Sequence, residues 1–168
     1  MELRSLTRIS LPKDEYVYLL GMAISVFISN NGFIIENIIN TDKSYSWHDL
    51  IDKESGKLRP IIVKTITEKV GLEISDLFSE ILYKRNRIIH SFRCTSSNEE
   101  QILATKDRIT NQQFYIDEQF LINFIELNDK LSYLLHDIED IKIINNDISL
   151  FTLKALRFGE GLLQYNHI

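Results

Sequence analysis

The 168 residues, 44% hydrophobic and 26% charged, suffice for one domain with a real core and exclude a disordered or fibrous chain. One Cys excludes a disulfide framework and a Cys-based zinc site and fits a reducing cytosol, while six Gly and two Pro argue against a many-turned all-β protein. The net charge of −5 excludes a globally basic nucleic-acid binder, although it constrains only the average.

The first eleven residues show no clear period and predict an extended arm. From Pro12 the pattern is helical, with Asp14 and Glu15 suited to the positive end of a helix. Tyr16, Leu19, Leu20, Ala23, Ile24, Phe27 and Ile28 follow the i, i+3, i+4, i+7 spacing of a buried face. Gly32 is expected to kink this helix, which resumes at Phe33 and ends near Asn40. Asp42 to Gly56 reads as a polar connection with one short helix at Trp47–Ile51.

A second long helix is predicted from Leu58 to Val70, with Pro60 near its start and Gly71 ending it. A third opens at or just before Ser75 and carries Leu77, Phe78, Ile81, Leu82, Ile88 and Ile89. Thr95 to Asn98 reads as a loop. Gln101–Thr105 and Gln113–Ile116 then show β character and predict a hairpin, which must lean on the helices.

Asp117 is a candidate N-cap for a long helix bearing Phe120, Leu121, Phe124, Ile125, Leu127, Leu131, Leu134, Leu135 and Ile138. Asn145–Asp147 breaks the pattern, and Ile148–Leu163 predicts a shorter final helix. No repeat or linker divides the chain. Residues 1–168 therefore read as a single, mainly α helical bundle with a small β-hairpin between the third helix and the long C-terminal one. The longest apolar stretch, Val17–Ile28, falls short of the roughly 20 residues of a spanning helix, so no membrane partner and a cytoplasmic location are expected.

Chemistry concentrates in Tyr83 to Arg93. Four of the 19 Lys and Arg residues lie there, Lys84, Arg85, Arg87 and Arg93, and no carboxylate occurs between Glu80 and Glu99. On a helix Asn86 and Arg87 share a face with His90, while Arg85 stands about 140° around from it. A long side chain or a partner chain is needed to bring Arg85 and His90 to one point. His exchanges protons near neutral pH, Arg grips phosphate oxygens with two donors, and Asn positions either group. Together these are the parts needed to cleave RNA without a metal ion.

Arg85-Asn86-Arg87-Ile88-Ile89-His90 resembles the motif of the HEPN superfamily of helical-bundle ribonucleases, an Arg, a polar residue, three residues and a His. Phe92 takes the aromatic position two residues after the His, where the family often has Tyr. The resemblance implies a helical bundle with the motif late in a helix and a homodimer whose two motifs face each other in a composite site. It implies an RNA substrate, no metal and no cofactor, and catalytic roles for Arg85, Asn86 and His90, with Arg87, Arg93 and Lys84 supporting substrate binding. Many members are toxins or phage-defence effectors, which implies an antitoxin or regulatory partner.

Two other readings make different predictions. A non-catalytic RNA- or nucleotide-binding module predicts salt-sensitive binding without cleavage. A protein-interaction module predicts indifference to charge reversal at Arg85 and Arg87. The remaining titratable residues read as structural: His48 and His136 as surface or pairing residues, His167 as terminal, and Cys94 as an inert, half-buried thiol.

Overall fold

Helix α1, Asp14–Thr41, starts two residues after Pro12, with Asp14 and Glu15 in its first turn, where unpaired N–H groups favour negative charge. The structure is a computed structural model that describes residues 3–68 and 71–138. A 3-10 turn over Leu3–Leu6 and an irregular segment precede α1, where the sequence predicts an extended arm throughout.

Helix α1 runs uninterrupted through Gly32. That glycine lies against the Trp47 ring, so that a Cβ there would stand 3.8 Å from Trp47 Cη2. By length and composition alone α1 is long and apolar enough to cross a membrane, which the shorter run Val17–Ile28 does not reveal. In this fold its Ala23, Ile34, Ile35 and Ile38 are fully buried in the bundle.

Helix α2, Trp47–Ile51, forms as predicted, with the Ser46 hydroxyl accepting from the Asp49 N–H. Helix α3, Ser55–Ile62, continues as a wider π turn over Val63–Thr67. It begins a turn earlier than predicted, which leaves Pro60 inside the helix. Glu54 caps its start with no side-chain hydrogen bond, so no capping signal marks that boundary. Gly71, at φ 90°, occupies the left-handed conformation that favours glycine, and its N–H returns to Thr67 O at 2.9 Å.

Helix α4, Glu73–Ile89, buries Leu77, Phe78, Ile81, Leu82 and Ile88. It leads directly into β1, Phe92–Thr95, which pairs antiparallel with β2, Gln101–Lys106, and β2 pairs antiparallel with β3, Gln113–Ile116. The predicted hairpin is therefore two strands of a three-stranded sheet, and the chain up to Thr95 is strand rather than loop. β1 has no buried residue, and such an edge strand lacks the apolar alternation that would announce it.

The β2–β3 turn is built on Asp107. Its Oδ1 accepts the N–H groups of Ile109 and Thr110, each at 2.8 Å, and its Oδ2 accepts the Tyr83 hydroxyl. These donors hold the Asp107 carboxyl below the usual carboxylate range, while the same hydrogen bond raises the Tyr83 phenol.

Asp117 caps α5, which occupies residues 118–138, by accepting the Phe120 N–H at 2.8 Å. Helix α5 lies along α1: Phe124 stacks near Phe27 at 6.3 Å, and Asn30 Nδ2 donates to the buried Asn128 carbonyl at 2.6 Å. The Tyr16 hydroxyl donates to Ile116 O at 2.6 Å and ties α1 to β3. One apolar cluster draws on all five helices of the described residues and on β3. The structure is thus mainly α with a small antiparallel sheet. The final helix predicted over Ile148–Leu163 lies outside the described residues, as does His167.

Candidate functional site

The basic stretch forms the last two turns of α4 and the start of β1. Because α4 buries its apolar stripe, the cations between those positions fan out in different directions. Lys84 reaches towards α5, with its Nζ 5.0 Å from the centre of the Phe120 ring. Arg85 faces α1, with its guanidinium carbon 5.1 Å from the centre of the Phe27 ring.

Arg87 turns inward. Only 6% exposed, it donates from Nη1 to the Lys106 carbonyl on β2, and its guanidinium lies 5.7 Å from the Tyr83 ring centre. This cation ties the motif helix to the sheet. Arg93 is exposed on β1, and its Nη1 donates to Ser10 O at 3.0 Å, holding the segment that precedes α1. Of the three supporting cations predicted, Arg87 and Arg93 thus hold backbone carbonyls of this chain.

His90 is the C-cap of α4, with φ −99° and ψ 25°. Its N–H donates to Asn86 O at 3.1 Å, while its side chain is exposed where the chain turns through Ser91 into β1. The Asn86 amide is half-buried and makes no side-chain hydrogen bond among the described residues. No hydrogen bond or ring contact joins Arg85 to His90 within the described chain. The two lie near the same helix end but face differently, as their five-residue separation requires.

Arg85 lines a pocket of about 490 Å³ between α1, α2, the start of α3 and α4. Around it stand Phe27, Asn31, Gly32, Trp47 and Glu54. Burial pushes the Arg85 guanidinium below its ordinary value, and Glu54 opposes that shift. Arg85 Nε is buried without a hydrogen-bond partner, as is Asn31 Oδ1 in the same pocket wall. Arg85 makes no ion pair among the described residues, which leaves the guanidinium able to take an anionic ligand.

Sequence reasoning missed Asn31, Trp47 and Glu54 as neighbours of Arg85. The Gly next to Asn31 and the chain's one Trp were the available signals, and only the packing of α2 on α1 brings them to the motif.

The other titratable candidates serve the fold or face solvent. His136 Nδ1 lies 2.8 Å from Ser132 O, and its ring packs edge-on against Phe33 at 4.5 Å. His48 is exposed on α2. The half-buried Cys94 thiol lies 3.6 Å from Ile102 O. Among the described residues no three His, Cys, Asp or Glu side chains gather as a metal site.

Chemically, the end of α4 presents a guanidinium in a pocket, an amide with no side-chain hydrogen bond among the described residues, and an exposed imidazole. No family model, curated protein or solved structure matches this chain.

Proposed function

We propose that the protein is a metal-independent endoribonuclease of the HEPN type, acting as a cytoplasmic homodimer with a composite site. The observation that carries this reading is Arg85, a guanidinium in a pocket with no ion pair among the described residues, five residues before the exposed His90 on the same helix end. A catalytic cation needs donors left over for a phosphate. Arg85 makes no hydrogen bond or ion pair among the described residues, although Glu54 stands in the same pocket, whereas Arg87 is buried and donates to the Lys106 carbonyl.

In this reading the ribose 2′-OH attacks the adjacent phosphorus. One imidazole takes the hydroxyl proton and another protonates the departing 5′-oxygen, leaving a 2′,3′-cyclic phosphate and a 5′-hydroxyl. His90 supplies one of these roles and His90 of the partner subunit the other. Arg85 stabilises the charge that builds on the phosphate oxygens, and Asn86 orients the phosphate or the ring. The different facings of Arg85 and His90 in one chain support pairing across two chains. Toxicity or phage defence, with an antitoxin or regulatory partner, follows from the resemblance in the motif alone.

The test is an oligoribonucleotide compared with the same strand carrying 2′-deoxyribose at the cleaved position. Cleavage of the first, with cyclic-phosphate ends, and resistance of the second support the reading. Equal cleavage of both excludes 2′-OH attack. Salt-sensitive RNA binding with no cleavage of either points to the non-catalytic module.

A further inference from the structure

We infer that the pocket beside Arg85 is a nucleotide subsite in which a base stacks on Trp47 while its phosphate takes the Arg85 guanidinium. The inference rests on the ribonuclease reading for the source of that nucleotide, an RNA strand. The pocket argument shares Arg85 with that reading and otherwise stands on Trp47, Asn31 and Lys53.

The volume of about 490 Å³ lies within the range of small-molecule sites, and the walls combine an apolar lining with a few convergent polar groups. Phe27, Ile28 and Ile51 supply the apolar part. Trp47 stays 39% exposed although its six-membered ring lies against the Gly32 backbone. An indole packed beside Gly32 and still partly open to solvent offers a flat surface, and flat heteroaromatic rings are the ligands such a surface holds.

The polar groups narrow the choice. Phe27 backs the Arg85 guanidinium, and Arg85 Nε lacks a hydrogen-bond partner. A phosphate supplies acceptors for such a fork. Lys53, on the pocket wall, adds a second cation for the same anion. Asn31 Oδ1, buried without a partner, belongs to an amide that a base edge can engage after a side-chain rotation. Glu54 in the same lining offsets part of the positive charge, which disfavours a lone anion. A stacking ring, two cations and an amide beside it match a nucleoside monophosphate unit better than a purely apolar ligand.

Trp47 is the chain's one tryptophan, so its fluorescence reports on this pocket directly. The full chain is titrated with AMP, GMP, CMP and UMP, and separately with inorganic phosphate and with adenosine. The inference expects saturable quenching by at least one nucleotide, at concentrations at least tenfold below those at which phosphate or adenosine acts. Arg85→Gln should weaken that binding tenfold or more. Calorimetry should show binding retained by Trp47→Phe, which keeps a stacking ring, and lost in Trp47→Ala.

Unchanged fluorescence with all four nucleotides to millimolar concentration overturns the inference. So does phosphate acting as well as the nucleotides, which would mark a plain anion site. His90→Ala separates the two readings, because His90 does not line this pocket. Nucleotide binding in a protein that cleaves no RNA upholds the subsite and removes the ribonuclease. RNA cleavage without nucleotide binding in the pocket does the reverse.

Discussion

The Arg85 guanidinium sits 5.1 Å from the centre of the Phe27 ring, so a cation of the motif helix is backed by an aromatic of α1. This contact sets the guanidinium against the ring at the wall of the pocket. A ring contact of this kind contributes about 0.5–2 kcal/mol, less than a catalytic phosphate contact supplies to a transition state.

Arg85→Ala should therefore separate activity from stability. RNA cleavage is expected to fall roughly 10²–10³-fold, the usual effect of removing one preorganised donor to a developing anion. The unfolding free energy should fall by no more than about 2 kcal/mol. Single-turnover cleavage together with urea unfolding checks both. A large stability loss with unchanged cleavage would make Arg85 a packing residue.

Arg87, two residues on, should behave the opposite way. Its buried guanidinium donates to the Lys106 carbonyl, and Arg87→Met leaves that acceptor without its partner. The expected loss is about 1–3 kcal/mol, a drop in Tm of several degrees for a chain of this size. Calorimetry should show that drop. If Tm is unchanged while RNA binding weakens, Arg87 belongs to the substrate surface after all.

The contrast between these neighbours shows what was legible in the sequence. The apolar positions of α1, α4 and α5 recur at helical spacing, so those helices were readable, as was the Asp117 cap. β1 was not, because Phe92–Thr95 buries none of its side chains. The start of α3 lacked a side-chain cap and was placed too late. In the site, the spacing of Arg85 and His90 was visible, whereas the inward turn of Arg87 was hidden among neighbouring cations. Asn31, Trp47 and Glu54 reach Arg85 only through packing of separate helices, and no local pattern encodes that.

Tyr16 predicts a signature at alkaline pH. Burial pushes its phenol up to about 12, from an ordinary value near 10. The folded state thus favours the protonated form, whose hydroxyl donates to Ile116 O. This contribution is complete below about pH 10 and is lost as pH rises through the folded value of about 12. Tyr16→Phe should cost about 0.5–1.5 kcal/mol near pH 7 through the lost hydrogen bond. Its stability should also decline less steeply than that of the wild type above about pH 10. Urea unfolding across that range measures the difference, and parallel declines would show that Tyr16 ionises no harder in the fold than outside it.

The whole account depends on the exposed imidazole at the end of α4. The most direct measurement is the single-turnover rate of RNA cleavage by wild type and His90→Ala, with EDTA present and folding checked by circular dichroism. His90 caps α4 through its backbone N–H, which alanine keeps, so the fold should survive. The account predicts a loss of roughly 10²–10⁴-fold in rate for the folded variant. Equal rates for the two proteins would contradict it.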